Sequence, residues 1–284
     1  MKTIRELVAA ASDRLREAGI SASANLDARL LAQHVLGWDT ARLLASASEA
    51  APEGFPAAYE PLVARRVARE PLAYITGHRE FFGLDLEVTP AVLIPRPETE
   101  ILVEAVLASM PTTQLFTMID ACTGCGNVAV AVAKERMNAR VFASDISGAA
   151  LEVARRNAAR YGVEGRVTFT RTDLFDNLSG PVDVITVNPP YVPEKSGPGL
   201  QPEVGEHEPH VALFGGGDEG LNMLTRVINE APALIRPGGF LMFEFGLGQE
   251  VEVERLLTAS PQLALLDLKR DLQGIARTAI SRRT

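Results

Sequence analysis

An amide side chain, two prolines and an aromatic ring stand together at Asn188-Pro189-Pro190-Tyr191. They follow Val182-Asp183-Val184-Ile185-Thr186-Val187, a mostly apolar, β-branched run that reads as a buried strand. The prolines end that strand sharply, because neither has an N–H for a ladder and each fixes φ. Asn188 precedes a proline and is pushed toward extended backbone. The outcome is a stiff corner at a strand's C-terminal end that presents a side-chain amide, a carbonyl and an aromatic face at once. Such a corner suits a planar NH2 group. The oxygens of Asn188 and Pro189 accept its two hydrogens, Tyr191 packs on its face, and Pro190 completes the binding surface. A proline-rich turn beside a core tyrosine is the competing reading.

A second chemical feature lies upstream, at Asp120-Ala121-Cys122-Thr123-Gly124-Cys125-Gly126-Asn127. It follows the apolar run Leu115 to Ile119 and precedes a helix-like stretch, Val128 to Met137. Strand, glycine-bearing turn and helix in that order bring a nucleotide-like ligand close to bare backbone. Gly124 and Gly126 remove side chains where the ligand approaches, with Cys122, Thr123 and Cys125 between them. A further strand, Arg140 to Ser144, ends in Asp145, roughly 20 residues past the loop, where a carboxylate can take both hydroxyls of a ribose. Capping the next helix is the alternative role for Asp145. A third strand, Arg166 to Thr170, is followed by Asp173-Leu174-Phe175, a carboxylate and apolar residues suited to an adenine with Asp173 facing its exocyclic amine.

These residues need elements to hold them. Residues 1–72 read as short helices, with Ile4, Leu7, Val8 and Leu15, then Leu26, Leu30, Leu31 and Val35, at helical spacing. The cluster Arg65, Arg66 and Arg69 reads as a solvated helix face or a contact for an acidic partner. Residues 73–92 read as a β-hairpin linker around Phe81-Phe82-Gly83-Leu84. From 93 to 284 strands and helices alternate, which predicts a three-layer α/β fold with a mostly parallel sheet. Late strands are expected at Phe240 to Phe245, Leu263 to Leu268 and Ala276 to Ser281. Val192 to Gly205, rich in Pro, Gly and Glu, reads as a mobile loop.

The glycine loop, Asp145, Asp173 and the Asn-Pro-Pro-Tyr corner together resemble a class I S-adenosylmethionine-dependent methyltransferase acting on an amino nitrogen. More narrowly, the chain resembles the PrmC/HemK family of release-factor glutamine methyltransferases. The resemblance extends through Leu26-Asp27-Ala28-Arg29-Leu30-Leu31, Arg69-Glu70-Pro71-Leu72-Ala73-Tyr74-Ile75-Thr76-Gly77 and Ile94-Pro95-Arg96-Pro97-Glu98-Thr99-Glu100. It continues at Glu208-Pro209-His210-Val211-Ala212-Leu213 and Asp271-Leu272-Gln273-Gly274-Ile275-Ala276-Arg277. It implies a Rossmann-like class I fold with seven strands, the last antiparallel, behind a small helical domain that grips the substrate. It implies S-adenosylmethionine as methyl donor, S-adenosylhomocysteine as product, and no metal. The implied substrate is the glutamine of the Gly-Gly-Gln motif in class-1 peptide chain release factors. Cofactor contacts fall on Cys122, Thr123, Gly124, Cys125, Gly126, Asp145, Asp173, Leu174 and Asn188; the catalytic corner is Asn188, Pro189 and Tyr191. The family loop usually has glycine where Cys122 stands, so Cys122 fits provided its φ is negative. Leu174 stands where tryptophan is frequent, which weakens stacking on an adenine.

Composition bounds the alternatives. Hydrophobic residues make up 46% of 284, ample for one or two domains. No run of 18 uncharged apolar residues and no signal-peptide core occur, so a cytoplasmic monomer without a membrane partner is expected. The net charge of −8 weighs against a nucleic-acid N-methyltransferase, which needs clustered cations. A glutamine methyltransferase of a ribosomal protein and a non-catalytic release-factor or ribosome binding module also stand as alternatives. A nicotinamide dehydrogenase lacks the third glycine of its fingerprint. Cys122-Thr123-Gly124-Cys125 has redox spacing and His207 with His210 form the one spaced histidine pair, but a zinc site needs wider histidine spacing.

Overall fold

The structure, a computed structural model, describes residues 2–284. The chain forms two compact units, one comprising residues up to Gly77 together with Gln201–His207, the other His78–Leu200 and Glu208–Thr284.

The first unit is helical: α1 Ile4–Glu17, α2 Ala24–Leu36, α3 Thr40–Ala45, α4 Phe55–Val67 and α5 Leu72–Thr76, joined by a short helical turn at Pro202–Gly205. Thr3 and Glu6 form a reciprocal capping box that starts α1, and Gly37 ends α2 with a left-handed φ of 64°. Leu15, Leu31, Phe55, Tyr59 and Val63 fill the core, with the Phe55 and Tyr59 rings stacked at 5.0 Å. Tyr59 donates its hydroxyl to the Ala28 carbonyl at 2.8 Å, and Arg66 bonds Asp27 at 2.8 Å and Glu203 at 2.9 Å. Arg69 takes the other Glu203 oxygen at 2.6 Å. The arginine cluster is therefore not a solvated face. Its acidic partners are Asp27, Glu203 and, for Arg65, Glu70. The segment expected as a loop carries a 3₁₀ helix, Glu194–Gly199, and that short turn at Pro202–Gly205.

The second unit opens with a hairpin, β1 His78–Phe81 and β2 Leu84–Glu87, turning at Phe82-Gly83. There follow α6 Glu100–Ser109, β3 Phe116–Ala121, α7 Asn127–Glu135, β4 Ala139–Asp145, α8 Gly148–Arg160, β5 Val167–Arg171 and β6 Val182–Val187. The unit ends with α9 Asn222–Glu230, β7 Ile235–Glu244, α10 Glu250–Ala259, β8 Leu263–Arg270 and β9 Ala276–Arg283. The seven-stranded sheet has the order β5-β4-β3-β6-β7-β9-β8, parallel through β7, with β9 antiparallel to both neighbours. This is the Rossmann-like, mostly parallel sheet expected. β6 is buried at every position, as its unbroken β-branched run requires of a strand covered on both faces. One face packs Leu224, Val227 and Ile228 of α9 and Val253 and Leu257 of α10 against Ile119, Ile185, Leu241 and Phe243. On the other lie α6, α7 and α8.

The order reverses at β3, since β4 lies on one side of it and β6 on the other. In open α/β sheets the crevice at such a switch point is where ligands bind. The register pairs Ala121 with Val187. The residues that follow, the glycine loop after β3 and the Asn-Pro-Pro-Tyr corner after β6, thus leave the sheet side by side.

Candidate active site

An open cavity lies at this switch point, where an open α/β sheet binds its ligands. Its wall includes Cys122, Thr123, Gly124 and Cys125 after β3, Asp145, Ile146 and Ser147 after β4, Asp173 and Leu174 after β5, and Asn188 and Pro190 after β6. Four strand ends expected to share one ligand do meet. Gly126, Pro189 and Tyr191 stand outside the wall.

The glycine loop is shaped by two carboxylates. Asp120, nearly at the end of β3, accepts the Thr123 hydroxyl at 2.6 Å and the Thr186 hydroxyl at 2.7 Å, so it ties the loop to β6. It is 2% exposed, and burial pushes its carboxyl up to about 6 despite both hydrogen bonds. Asp145 accepts the Gly124 amide and the Ser147 amide, each at 2.9 Å, and burial raises its carboxyl also. Ser147, not Asp145, caps α8, its hydroxyl accepting from Ala150. Gly124 has a φ of +55° and open space where a Cβ would stand, as close ligand approach demands. Gly126 answers a different need: a Cβ there would meet the Ala154 Cβ at 3.1 Å, so it permits α8 to pack on the loop.

Cys122 has a φ of +56°, against the condition under which it was expected to fit. A left-handed cysteine stores backbone strain at the glycine position of the loop. Burial pushes the Cys125 thiol up to about 12 and the Cys122 thiol further, with Asp145 and Asp120 adding to both. Both thiols are held protonated, which disfavours the thiolate that redox exchange or metal ligation requires. Leu174 also has a positive φ, 47°, and joins the core while lining the cavity. Asp173 is half-exposed and bonds Arg226 at 3.0 Å through one oxygen.

The amide corner is fixed by residues far away in sequence. Asn188 donates from Nδ2 to Thr99 Oγ1 at 3.1 Å, and Thr99 donates its hydroxyl to Glu244 Oε2 at 2.6 Å. Tyr191 donates its hydroxyl to Glu244 Oε1 at 2.8 Å, and its carbonyl accepts from Gln249 at 2.9 Å. Tyr191 is partly buried and packs against the core cluster of the sheet. Arg96, at the cavity wall, bonds the buried Glu208 at 2.5 Å, and Glu208 also accepts the Ile94 amide at 3.1 Å. Thr99, Ile146, Glu208 and Glu244 were given no role from sequence. One signal was present: Glu244 is a lone acid inside the apolar run Phe240-Leu241-Met242-Phe243-Glu244-Phe245. Among the described residues no cluster of three or more His, Cys, Asp or Glu has metal-binding geometry, and no helix is long and apolar enough to cross a membrane.

Residues 6–77 match a family model described as the PrmC N-terminal domain, and residues 98–200 one described as the methyltransferase small domain. Proteins named release factor glutamine methyltransferase are similar over nearly the whole chain. That of Nitratidesulfovibrio vulgaris is 38% identical, covering 99% of this chain and 95% of its own. That of Burkholderia pseudomallei is 40% identical, covering 98% of each, and that of Cereibacter sphaeroides is 41% identical, covering 96% of each. Among solved structures, the hMettl16 catalytic domain in complex with MAT2A 3'UTR hairpin 6 superposes with a TM-score of 0.57 at 16% identity, over 78% of this chain and 81% of that one. A methyltransferase from Pyrococcus furiosus does so with a TM-score of 0.53 at 19% identity, over 77% and 96%. At these identities the likeness concerns the fold.

Proposed function

Because the chain belongs to the release factor glutamine methyltransferase family, S-adenosylmethionine-dependent enzymes that methylate protein glutamine, we propose that its substrate is the glutamine of the Gly-Gly-Gln motif in class-1 peptide chain release factors. The methyl group goes to the side-chain amide nitrogen, N5, and the reaction modulates translation termination in the cytoplasm. The observation that carries this reading is the pairing of Ala121 with Val187, which brings the glycine loop at the cavity and the Asn-Pro-Pro-Tyr corner side by side.

The cavity fits the cofactor. Gly124 leaves open space against the loop backbone, Asp145 presents a carboxylate for the ribose hydroxyls, and Leu174 and Ile146 offer apolar surface for the base. Thr123, Cys122 and Cys125 shape the remaining wall, and Asp173 keeps one oxygen for the exocyclic amine while the other holds Arg226. When bound, S-adenosylmethionine supplies a methyl group already activated by its sulfonium.

The difficulty lies with the nucleophile, since an amide lone pair is delocalised into its carbonyl. Asn188 Oδ1 and the Pro189 carbonyl accept the two N–H hydrogens, which raises electron density on nitrogen and aims its lone pair. Positioning and electrostatics do most of this. No base is needed beforehand, because the nitrogen becomes acidic only once alkylated. Pro190 walls the amide's approach, and Tyr191 acts by anchoring the corner to Glu244.

Mass spectrometry of a release factor incubated with enzyme and S-adenosylmethionine tests the substrate. One added methyl on the Gly-Gly-Gln glutamine is expected; a methylated ribosomal protein beside an unmodified release factor would overturn the reading. Asn188→Ala should slow methylation by about 10²–10³-fold with cofactor affinity much less affected.

A further inference from the structure

Asn188 can serve as an acceptor only if Oδ1, not Nδ2, faces the substrate. The two ends of a side-chain amide are nearly the same shape, so sterics alone do not choose between them. The choice is made by a polar chain that runs from Thr99 at the cavity wall to the buried Glu244. Glu244 and Thr99 are each 1% exposed. Both Glu244 oxygens take hydroxyl hydrogens, Oε1 from Tyr191 at 2.8 Å and Oε2 from Thr99 at 2.6 Å. Burial raises the Glu244 carboxyl above its ordinary value, and the hydrogen bonds from Thr99 and Tyr191 pull it back down; in its ionised form it is acceptor-only, so the single hydroxyl hydrogen of Thr99 must point at Glu244. What Thr99 then turns toward Asn188 is a lone pair, and only Nδ2 can meet it, as it does at 3.1 Å. The reverse arrangement would set the Thr99 oxygen against a buried carboxylate oxygen with no hydrogen between them, leaving that carboxylate oxygen without its donor.

We propose that Glu244, acting through Thr99, is the positioning residue that fixes the polarity of the Asn188 amide and so commits its oxygen to the substrate nitrogen. This rests on the reading of Asn188 as the acceptor for the glutamine amide. The same carboxyl group holds Tyr191, so one buried acid at the end of β7 sets both ends of the corner that follows β6. Thr99 lies at the head of α6, within the segment Pro97-Glu98-Thr99-Glu100. That segment thereby enters the reaction geometry through the cavity wall.

The test uses the full-length enzyme, S-adenosylmethionine and a release factor, comparing Thr99→Val, Thr99→Ser, Glu244→Gln and Asn188→Ala. Thr99→Val keeps the shape and removes the hydroxyl, freeing the amide to adopt either orientation. It is expected to lower kcat by about 10²-fold, the cost of a misplaced catalytic group, with cofactor Kd and release-factor KM changed less than about threefold. Thr99→Ser restores the hydroxyl and should return kcat to within about threefold of the parent. Glu244→Gln gives up one of the two acceptors and should lower kcat in the same selective way. A parent-like kcat in Thr99→Val or Glu244→Gln while Asn188→Ala is crippled would overturn the relay and leave the amide grip standing. A parent-like kcat in Asn188→Ala would remove the grip and the relay together. A Thr99→Val defect that Thr99→Ser does not rescue would show a packing role and also overturn the relay.

Discussion

Asp120→Asn is expected to change the pH dependence of stability in a calculable way. The folded protein holds this carboxyl up to about 6 against an ordinary value of 3.8, chiefly through burial. The difference, about 2 units at about 1.4 kcal/mol each, corresponds to about 3 kcal/mol. The sign follows from proton binding. Between those two values the folded state carries a proton that the unfolded chain has released, so raising pH through the window costs stability. Below pH 3.8 both states are protonated and the contribution is fully present; above about pH 6 both are ionised and it has been lost. Asparagine does not titrate. It also keeps one acceptor for Thr186 or Thr123 and can donate to the other hydroxyl, so any hydrogen-bond penalty is a constant offset. The stability of the variant minus that of the parent should therefore rise by about 3 kcal/mol from pH 3 to pH 7 and stay level beyond. Urea unfolding followed by circular dichroism at a series of pH values reads that difference, and the effects of all other titrating groups cancel from it. Trp38, the single tryptophan, reports the helical unit separately, where the difference should not move with pH. A difference independent of pH, or one that shrinks as pH rises, would refute the account of Asp120 as a carboxyl held against its own desolvation.

Three further outcomes follow from the geometry. Cys122→Gly relieves a φ of +56°; the left-handed backbone costs about 1–2 kcal/mol in an L-residue, unfolded-state freedom returns about 0.4–1, and a small net rise in Tm is expected from calorimetry. Asp145→Ala should weaken S-adenosylmethionine binding by about 1.5–3 kcal/mol in calorimetric titration, and an unchanged affinity would take Asp145 out of the site. Arg66→Ala leaves Asp27 and Glu203 without their buried partner, and should destabilise the helical unit by about 3–5 kcal/mol as read from Trp38 fluorescence during unfolding.

What could be read from sequence was whatever a strand end announces locally. β6 shows itself as an unbroken β-branched run, and two prolines mark its last residue; the glycines and Asp145 sit at fixed offsets from β3 and β4. Their convergence then follows from the topology of a parallel sheet. The supports of the corner were not legible in the same way. Glu244 meets Thr99 across 145 positions and Tyr191 across 53, so no spacing rule could join them. Tyr191 showed its aromatic face in the sequence, but not the buried acid that its hydroxyl meets. The backbone at Cys122 was the opposite case. The glycine usual at that position foretold a left-handed φ, and the cysteine adopts it regardless. Arg66 and Arg69 read as surface charge because their acid, Glu203, arrives from beyond the catalytic corner.

That last contact bears on how the chain folds as it is made. Arg66 and Glu203 are separated by 137 positions, yet both belong to the helical unit. A ribosome delivers the chain from its N-terminus, so α1 to α5 emerge with Arg66 and Asp27 already able to meet but without Glu203. The helical unit reaches its final ion pairing only after β3 to β6 and the amide corner have been synthesised. During that interval it is an unfinished domain waiting for one segment, and its last clasp closes after most of the catalytic strands are already in hand.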